Sequence, residues 1–134
     1  MLDTGKEATE LVIALQLRYR STQAQVLDGN RKFIDASLKY YELSRVTNQS
    51  IVAEDLLQLL GKAVTCVILG KISVQRLRIL SMLVNDSRIH DLNTLDGYKT
   101  HLYVLSKVYK QQIIAEDDIV EFEKSLDSHQ KAVS

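Results

Sequence analysis

Apolar residues recur at steps of three and four along nearly the whole chain, which is the spacing of one face of an α-helix. No segment alternates apolar and polar residues for long enough to predict a β-strand. The pattern therefore predicts an all-α protein. The six predicted helices cover residues 4–28, 32–45, 51–69, 73–84, 94–112 and 118–129.

The first predicted helix carries one apolar stripe, of the kind that usually faces a core. Thr4 and Glu7 have the spacing of a capping box, which satisfies free backbone N–H groups at a helix start. Gly29 and Asn30 are expected to end this helix, and Asn30 to cap the next one. The stripe consists of Ala8, Val12, Leu15, Tyr19 and Val26.

The second predicted helix has the residue order of the second helix in a tetratricopeptide hairpin. Phe33, Ala36, Tyr40 and Leu43 follow the order aromatic, small, aromatic, large. The small Ala36 side chain would let the preceding helix approach closely, although no 34-residue repeat recurs cleanly. The third helix, with a cap expected at Asn48 or Ser50, is apolar around most of its circumference. That pattern predicts burial between neighbouring helices.

The last three helices are predicted from similar signals. Ser73 is the expected N-cap of the fourth helix, whose Arg76 and Arg78 are predicted to face outward. Residues 85–93 are polar and predict a loop, and Asp118 and Glu121 repeat the capping-box spacing. The apolar residues expected to face inward are Val74, Leu77, Leu80 and Val84 in the fourth helix. The stripe of the fifth helix consists of Leu95, Tyr98, Leu102, Leu105 and Tyr109.

Helices of this length joined by short polar breaks form antiparallel hairpins. We therefore expect residues 1–134 to form a single helical-repeat segment, a right-handed α-solenoid of about six helices resembling tetratricopeptide repeats. Stacked hairpins of this kind bury one continuous core and leave a concave and a convex face for partners.

Composition narrows the possible functions without assigning one. The chain has 134 residues, of which 46% are hydrophobic and 25% charged, and it contains no proline. The formal net charge is zero, so no bulk electrostatic attraction draws it to nucleic acid or to anionic membranes. The start lacks the features of a signal peptide, and the longest apolar run is too short to cross a bilayer.

The titratable side chains show no pattern of a reactive centre. His90, His101 and His129 lack metal-ligand spacing, so we interpret them as surface or helix-cap residues. Cys66 lies in an apolar helix without a neighbour that would lower its pKa, which predicts an inert, buried thiol. Gly61 is interpreted as a point of close helix packing.

Three charged segments have structural interpretations that outweigh functional ones. Residues 91–97 resemble a calcium loop only briefly, because Asp96 stands where glycine is required. The acidic residues 116–118 complement the dipole of a helix start. Lys71, Arg76 and Arg78 form a small basic group, interpreted as a solvated face or a protein-contact patch. We therefore predict no catalytic residue, no metal ligand and no cofactor.

The chain resembles the family of fourth subunits of the COP-nine signalosome, the complex that removes the ubiquitin-like modifier NEDD from cullins. The resemblance covers roughly the last four-fifths of the chain, and residues 91–98 match poorly. The matching segments are Ala24–Asp28, Arg31–Ala36, Tyr40–Ser44, Cys66–Leu69, Gln75–Arg76, Arg78, Leu80, Tyr109, Ile113–Ile114, Glu121–Phe122 and His129–Ala132.

The resemblance implies a non-enzymatic scaffold located in the cytoplasm and nucleus. Residues 1–134 would be the N-terminal part of a PCI domain, with the winged helix that completes such a domain outside this sequence. The implied partners are other signalosome subunits of the PCI and MPN types and, indirectly, cullin-RING ubiquitin ligases. Nucleic acid, membranes and small-molecule substrates are not expected as partners.

Other functions remain open from sequence. A paralogous scaffold subunit of the proteasome regulatory lid would share this fold. A free-standing adaptor that captures a peptide in its groove is a second alternative, which Asn, Lys or Arg clustered on a concave face would favour. An enzyme or nucleic-acid binder would need a titratable pair in a pocket or a continuous basic stripe.

Overall fold

The computed structural model describes residues 4–46 and 52–131, and within them every regular element is helical. The described residues contain no β-strand, so the prediction of an all-α fold is confirmed. Two 3₁₀ helices, Ile89–Thr94 and Ser128–Gln130, accompany the α-helices. The α-helices are α1 (Thr4–Gly29), α2 (Phe33–Ser44), α3 (Ala53–Leu69), α4 (Val74–Val84), α5 (His101–Tyr109) and α6 (Glu116–Glu123).

Helices α2 and α3 form an antiparallel pair. Ile34, near the start of α2, lies against Gly70, which follows the end of α3. Deeper in the pair, Ser37 donates a hydrogen bond of 2.7 Å to the carbonyl oxygen of Ala63. A turn of three residues joins α1 to α2, and the two helices pack together. The first three helices therefore form two successive hairpins.

Helix α3 lies at the centre of the core. It packs against α2, α4, α5 and the first 3₁₀ helix, which confirms its predicted burial between neighbours. Each fully buried Leu or Val contributes roughly 1.5–3 kcal/mol of transfer free energy. The buried residues of α3 are Leu60, Gly61, Ala63, Val64, Thr65, Cys66 and Val67.

The predicted stripe of α2 is confirmed. Phe33, Ala36, Tyr40 and Leu43 are all buried in this core. A smaller cluster between α5 and α6 consists of Val104, Phe122 and Leu126. Phe122 therefore contributes to a second core, which holds α6 against α5.

The predicted core face of α1 is wrong. Leu15 and Tyr19 are 53% and 66% exposed, whereas Ala24 and Asp28 on the opposite side are buried. The reason is that α1 is apolar on two sides, and α2 covers the side where the small Ala24 permits close approach. The Thr4 side chain of the predicted capping box lies outside the described residues.

The predicted fifth helix is too long, and the predicted loop before it is partly helical. Helix α5 begins at His101, and the first 3₁₀ helix occupies most of the segment before it. Leu92 and Leu95 are buried there, although their neighbours in the sequence are polar. Gly97 has a φ of +87°, a left-handed conformation that interrupts a right-handed helix between Leu95 and His101.

Helix α4 confirms the predicted N-cap and the inward position of Leu80, and it corrects the positions of Val74 and Leu77. The Ser73 side chain accepts a hydrogen bond of 3.1 Å from the backbone N–H of Arg76, as expected of an N-cap. Val74 and Leu77 are exposed, and the inward positions near them belong to Ile79 and Leu83. The core lies beside the second half of α4, where all of its buried residues are found.

The remaining predicted caps fall elsewhere in the structure. Lys32 precedes α2 without a side-chain cap, and Ala115 precedes α6, so Asn30 and the Asp118–Glu121 pair are not caps. A capping box does occur at Asp127 and Gln130, at the start of the second 3₁₀ helix. The predicted caps at Asn48 and Ser50 lie outside the described residues.

Candidate functional site

A buried carboxylate at the end of α1 gathers side chains from three parts of the chain. Asp28 is only 6% exposed. Its oxygens accept hydrogen bonds from Tyr40 Oη at 3.3 Å, His129 Nε2 at 2.8 Å and Gln130 Nε2 at 3.1 Å. A charge removed from water must be paired in this way to be tolerated. We call these four residues the Asp28 cluster.

A cavity of about 420 Å³ adjoins the Asp28 cluster, and Lys62, Tyr98 and Asp127 add to its lining. The polar groups of the Asp28 cluster are already partnered. Asp127 and Gln130 bond to one another through the capping box, and the Asp28 oxygens accept three different donors. The arrangement fixes the last 3₁₀ helix to the first hairpin more than it offers free groups to a substrate.

Two side chains beside Asp28, the Cys66 thiol and the Tyr40 hydroxyl, are held in their protonated, unreactive forms. Burial raises the pKa of the Cys66 thiol well above its usual value, and the nearby Asp28 charge adds to the rise. The pKa of Tyr40 is raised for the same two reasons. Cys66 is therefore a buried thiol, as predicted, and its environment opposes the thiolate that a nucleophile requires.

His101 contradicts its interpretation as a surface or cap residue. It is 1% exposed, with ring centroids of Tyr98 and Phe122 at 4.8 and 5.0 Å. Its Nε2 lies 2.6 Å from Thr65 Oγ1, and Thr65 itself donates to the carbonyl of Gly61. His101 Nε2–H is therefore the donor to Thr65. Burial lowers the pKa of His101 to about 4, so the ring is neutral and serves as packing.

The other candidate side chains lie in different parts of the structure and form no common site. His90 is exposed, as predicted, whereas His129 is half-buried and bonded to Asp28. Arg76 does not face outward: its guanidinium donates to the carbonyls of Val67 and Ile68 at the end of α3. The predicted basic group is therefore reduced to two exposed side chains, Lys71 and Arg78.

Sequence reasoning missed the second polar network. Arg88 pairs with Asp86 at 3.1 Å and also donates to the carbonyl of Ser44, while Tyr41 donates to Asp86 at 3.2 Å. Burial opposes ionisation of Asp86, but the hydrogen bonds from Arg88 outweigh it and lower the pKa of Asp86. Only the three-residue spacing of Tyr41 and Ser44 on α2 hinted at a shared face.

The acidic segments give no metal site among the described residues. No group of three or more His, Cys, Asp or Glu side chains in residues 4–46 and 52–131 is placed to hold a metal. Residues 116–118 form the first turn of α6, where they complement the helix dipole as expected. No helix in these ranges combines the length and apolarity needed to cross a membrane.

One face of α1 is open and apolar. Five side chains that are at least half exposed follow one side of the helix, and we call them the α1 seam. Exposed apolar surface that is concentrated on one face is a common feature of interaction sites. The α1 seam consists of Leu11, Val12, Leu15, Tyr19 and Val26.

Successive helical hairpins that pack around a central buried helix define a protein of the helical-repeat class. No protein-family model matches the chain. It is 35% identical over 118 residues to COP9 signalosome complex subunit 4 of Caenorhabditis elegans and 37% identical over 123 residues to that of Arabidopsis thaliana. The Drosophila melanogaster subunit is 35% identical over 122 residues.

These matches cover 88–90% of the chain but only 26–29% of each relative. The chain is therefore similar to a segment of COP9 signalosome subunit 4, and the resemblance predicted from its sequence is confirmed. It spans little more than a quarter of the length of the curated relatives it matches.

Proposed function

We propose that this chain is part of a non-catalytic scaffold subunit of the COP9 signalosome, the complex that removes NEDD from cullins and so regulates cullin-RING ubiquitin ligases. The observation that supports this proposal is the similarity to subunit 4 over almost nine-tenths of the chain. Two features agree with a scaffold role. The environment of Cys66 opposes formation of a reactive thiolate, and the buried polar side chains hold helices together.

In this role the chain binds protein, with signalosome subunits of the PCI and MPN types as direct partners and cullin-RING ligases as indirect ones. The net charge of the chain is zero, and only Lys71 and Arg78 of the predicted basic group are exposed. These charges favour binding neither to nucleic acid nor to anionic lipid. We expect no small-molecule substrate, and we place the protein in the cytoplasm and nucleus. The relatives named above favour the signalosome over the proteasome lid.

The test of assembly is affinity purification of the tagged full-length protein from its own cells. We expect the other signalosome subunits to be recovered in stoichiometric amounts. Recovery of proteasome-lid subunits instead would assign the protein to the paralogous complex, and recovery of neither set would reject both assignments.

The test of the non-catalytic role is Cys66→Ala in the assembled complex. Cys66 is the single cysteine of the chain, and its thiol is the side chain closest in type to a catalytic nucleophile. We expect the rate of NEDD removal from a cullin substrate to stay unchanged when the variant assembles normally. Loss of activity in an intact complex would contradict the proposal.

A further inference from the structure

A groove with basic side chains lies where α2 begins and α3 ends. Its volume is about 570 Å³, within the range of ligand-binding clefts. The sequence predicts that Lys71 belongs to a basic group with Arg76 and Arg78. In the structure Arg76 instead binds the end of α3, and Lys71 lines the groove together with Arg31 and Lys32. We call this surface, which the fold assembles from two distant segments, the basic groove.

The three positive side chains of the basic groove are exposed and not neutralised. Within residues 4–46 and 52–131, none of the three forms an ion pair with a carboxylate. Asp35 is the one acidic residue among those that line the groove in these ranges. Helix α2 begins here, and the positive end of its dipole adds to the charge, since Lys32 at the N-cap position provides no side-chain acceptor. The groove therefore attracts negative charge.

The floor of the basic groove is apolar. Phe33 of α2 and Leu69 of α3 line it, and Ile34 lies against Gly70, where a larger residue would displace it. Phe33 is buried, and Ile34 and Leu69 are partly buried, so these side chains lie deeper than the exposed cations. A ligand that fits this surface must offer an apolar group to the floor and negative charges to the cations around it.

We propose that the basic groove binds an acidic segment of a partner protein that carries an aliphatic side chain between its carboxylates. The aliphatic side chain packs on the apolar floor, and the carboxylates pair with Arg31, Lys32 and Lys71. A small anion would leave the floor uncovered, and nucleic acid requires a longer basic surface with aromatic side chains for stacking. The proposal rests on this surface alone and does not depend on the complex to which the protein belongs.

The first test is fluorescence anisotropy of the purified full-length protein with a short fluorescein-labelled peptide in which leucines stand between glutamates. We expect saturable binding that weakens as salt is added, because salt screens exposed charges. A peptide with glutamine in place of glutamate, and one with glycine in place of leucine, should each bind about tenfold more weakly. Absence of binding by the acidic peptide would overturn the proposal, and so would tighter binding of single-stranded RNA or of phosphatidylserine vesicles.

The second test locates the site. Lys32→Glu combined with Lys71→Glu should weaken binding of the acidic peptide about tenfold. Arg18→Glu combined with Lys39→Glu is the matched control, because it changes the net charge equally at exposed positions outside the groove. The control should bind within about twofold of wild type, and both variants should keep the circular-dichroism melting curve of the wild type. Unchanged binding by the groove variant, or an equal loss in both variants, would overturn the basic groove as the site.

Discussion

The imidazole of His129 donates to the carboxylate of Asp28 over 2.8 Å, and the two residues are separated by 101 positions in the chain. Arg31, in the turn after α1, reinforces this contact by donating to the backbone carbonyls of His129 and Lys131. The last 3₁₀ helix is thereby fixed to the end of α1 and to the turn that joins α1 to α2.

Replacing Asp28 should loosen this attachment. Asp28→Asn keeps the shape but removes the charge that three donors share, and its amide N–H₂ would face donors. We expect the free energy of unfolding to fall by about 1.5–3 kcal/mol, measured by urea denaturation. Hydrogen exchange should show faster exchange at the amides of residues 128–130. Glu42→Gln, on the exposed side of α2, is the control and should change stability by less than about 0.5 kcal/mol.

Gly61 should tolerate no side chain, although it lies in a helix. Alanine has a helix propensity better by about 1 kcal/mol, but a Cβ at this position would lie 2.5 Å from Tyr98 Cε1. We expect Gly61→Ala to lower the melting temperature, with a net loss of about 1–3 kcal/mol. Gly29→Ala is the control, because nothing lies within 4 Å of the added Cβ. Equal stabilisation by both substitutions would contradict the close contact.

Ala36 should likewise resist enlargement. It is fully buried on α2, the helix that packs against both α1 and α3, so Ala36→Leu would force neighbouring side chains or helices apart. We expect a loss of about 1–3 kcal/mol in chemical denaturation. Ala53→Leu places the same side chain at an exposed position in the first turn of α3, and it should be nearly neutral. An Ala36→Leu variant as stable as the wild type would show that the hairpins are not closely packed here.

His101 should make the fold less stable in acid. Its pKa in the folded state is about 4, below the usual value of 6.5, so the unfolded chain binds the proton more readily. Stability is therefore lost as the pH falls from about 6.5 to about 4, by roughly 3 kcal/mol for this one group. His101→Phe preserves the ring contacts and should flatten that part of the stability profile. The exposed His90→Asn control should leave the profile unchanged, and an equally steep profile for His101→Phe would refute the assignment.

The sequence predicts the core correctly in helices where a single apolar stripe stands out. Phe33, Ala36, Tyr40 and Leu43 point to a single face of α2, and that face is buried. The circumference of α3 is so apolar that no other location would shield it. Local signals also sufficed for the Ser73 cap, because a cap depends on residues three positions apart.

The same reasoning failed where two arrangements fit the pattern equally well. The α1 seam has the more regular spacing, yet α2 packs against the side that carries Ala24 and Asp28. At Leu95 and Tyr98 the period continues into α5, but the left-handed Gly97 interrupts the helix. Leu92 was missed for the opposite reason. It is buried, but it lies in a polar stretch of the sequence where no apolar residues at helical spacing indicate a core position.

The sequence by itself determined the helical class of the protein, the central position of α3 and the relationship to COP9 signalosome subunit 4, since periodicity and residue order are local properties of the chain. Only the tertiary structure decided that His101 is a neutral core residue, that Arg76 caps α3 and that Asp28 meets His129. Those outcomes depend on which distant groups share a desolvated space, and hydrogen bonds there form between residues that the sequence separates.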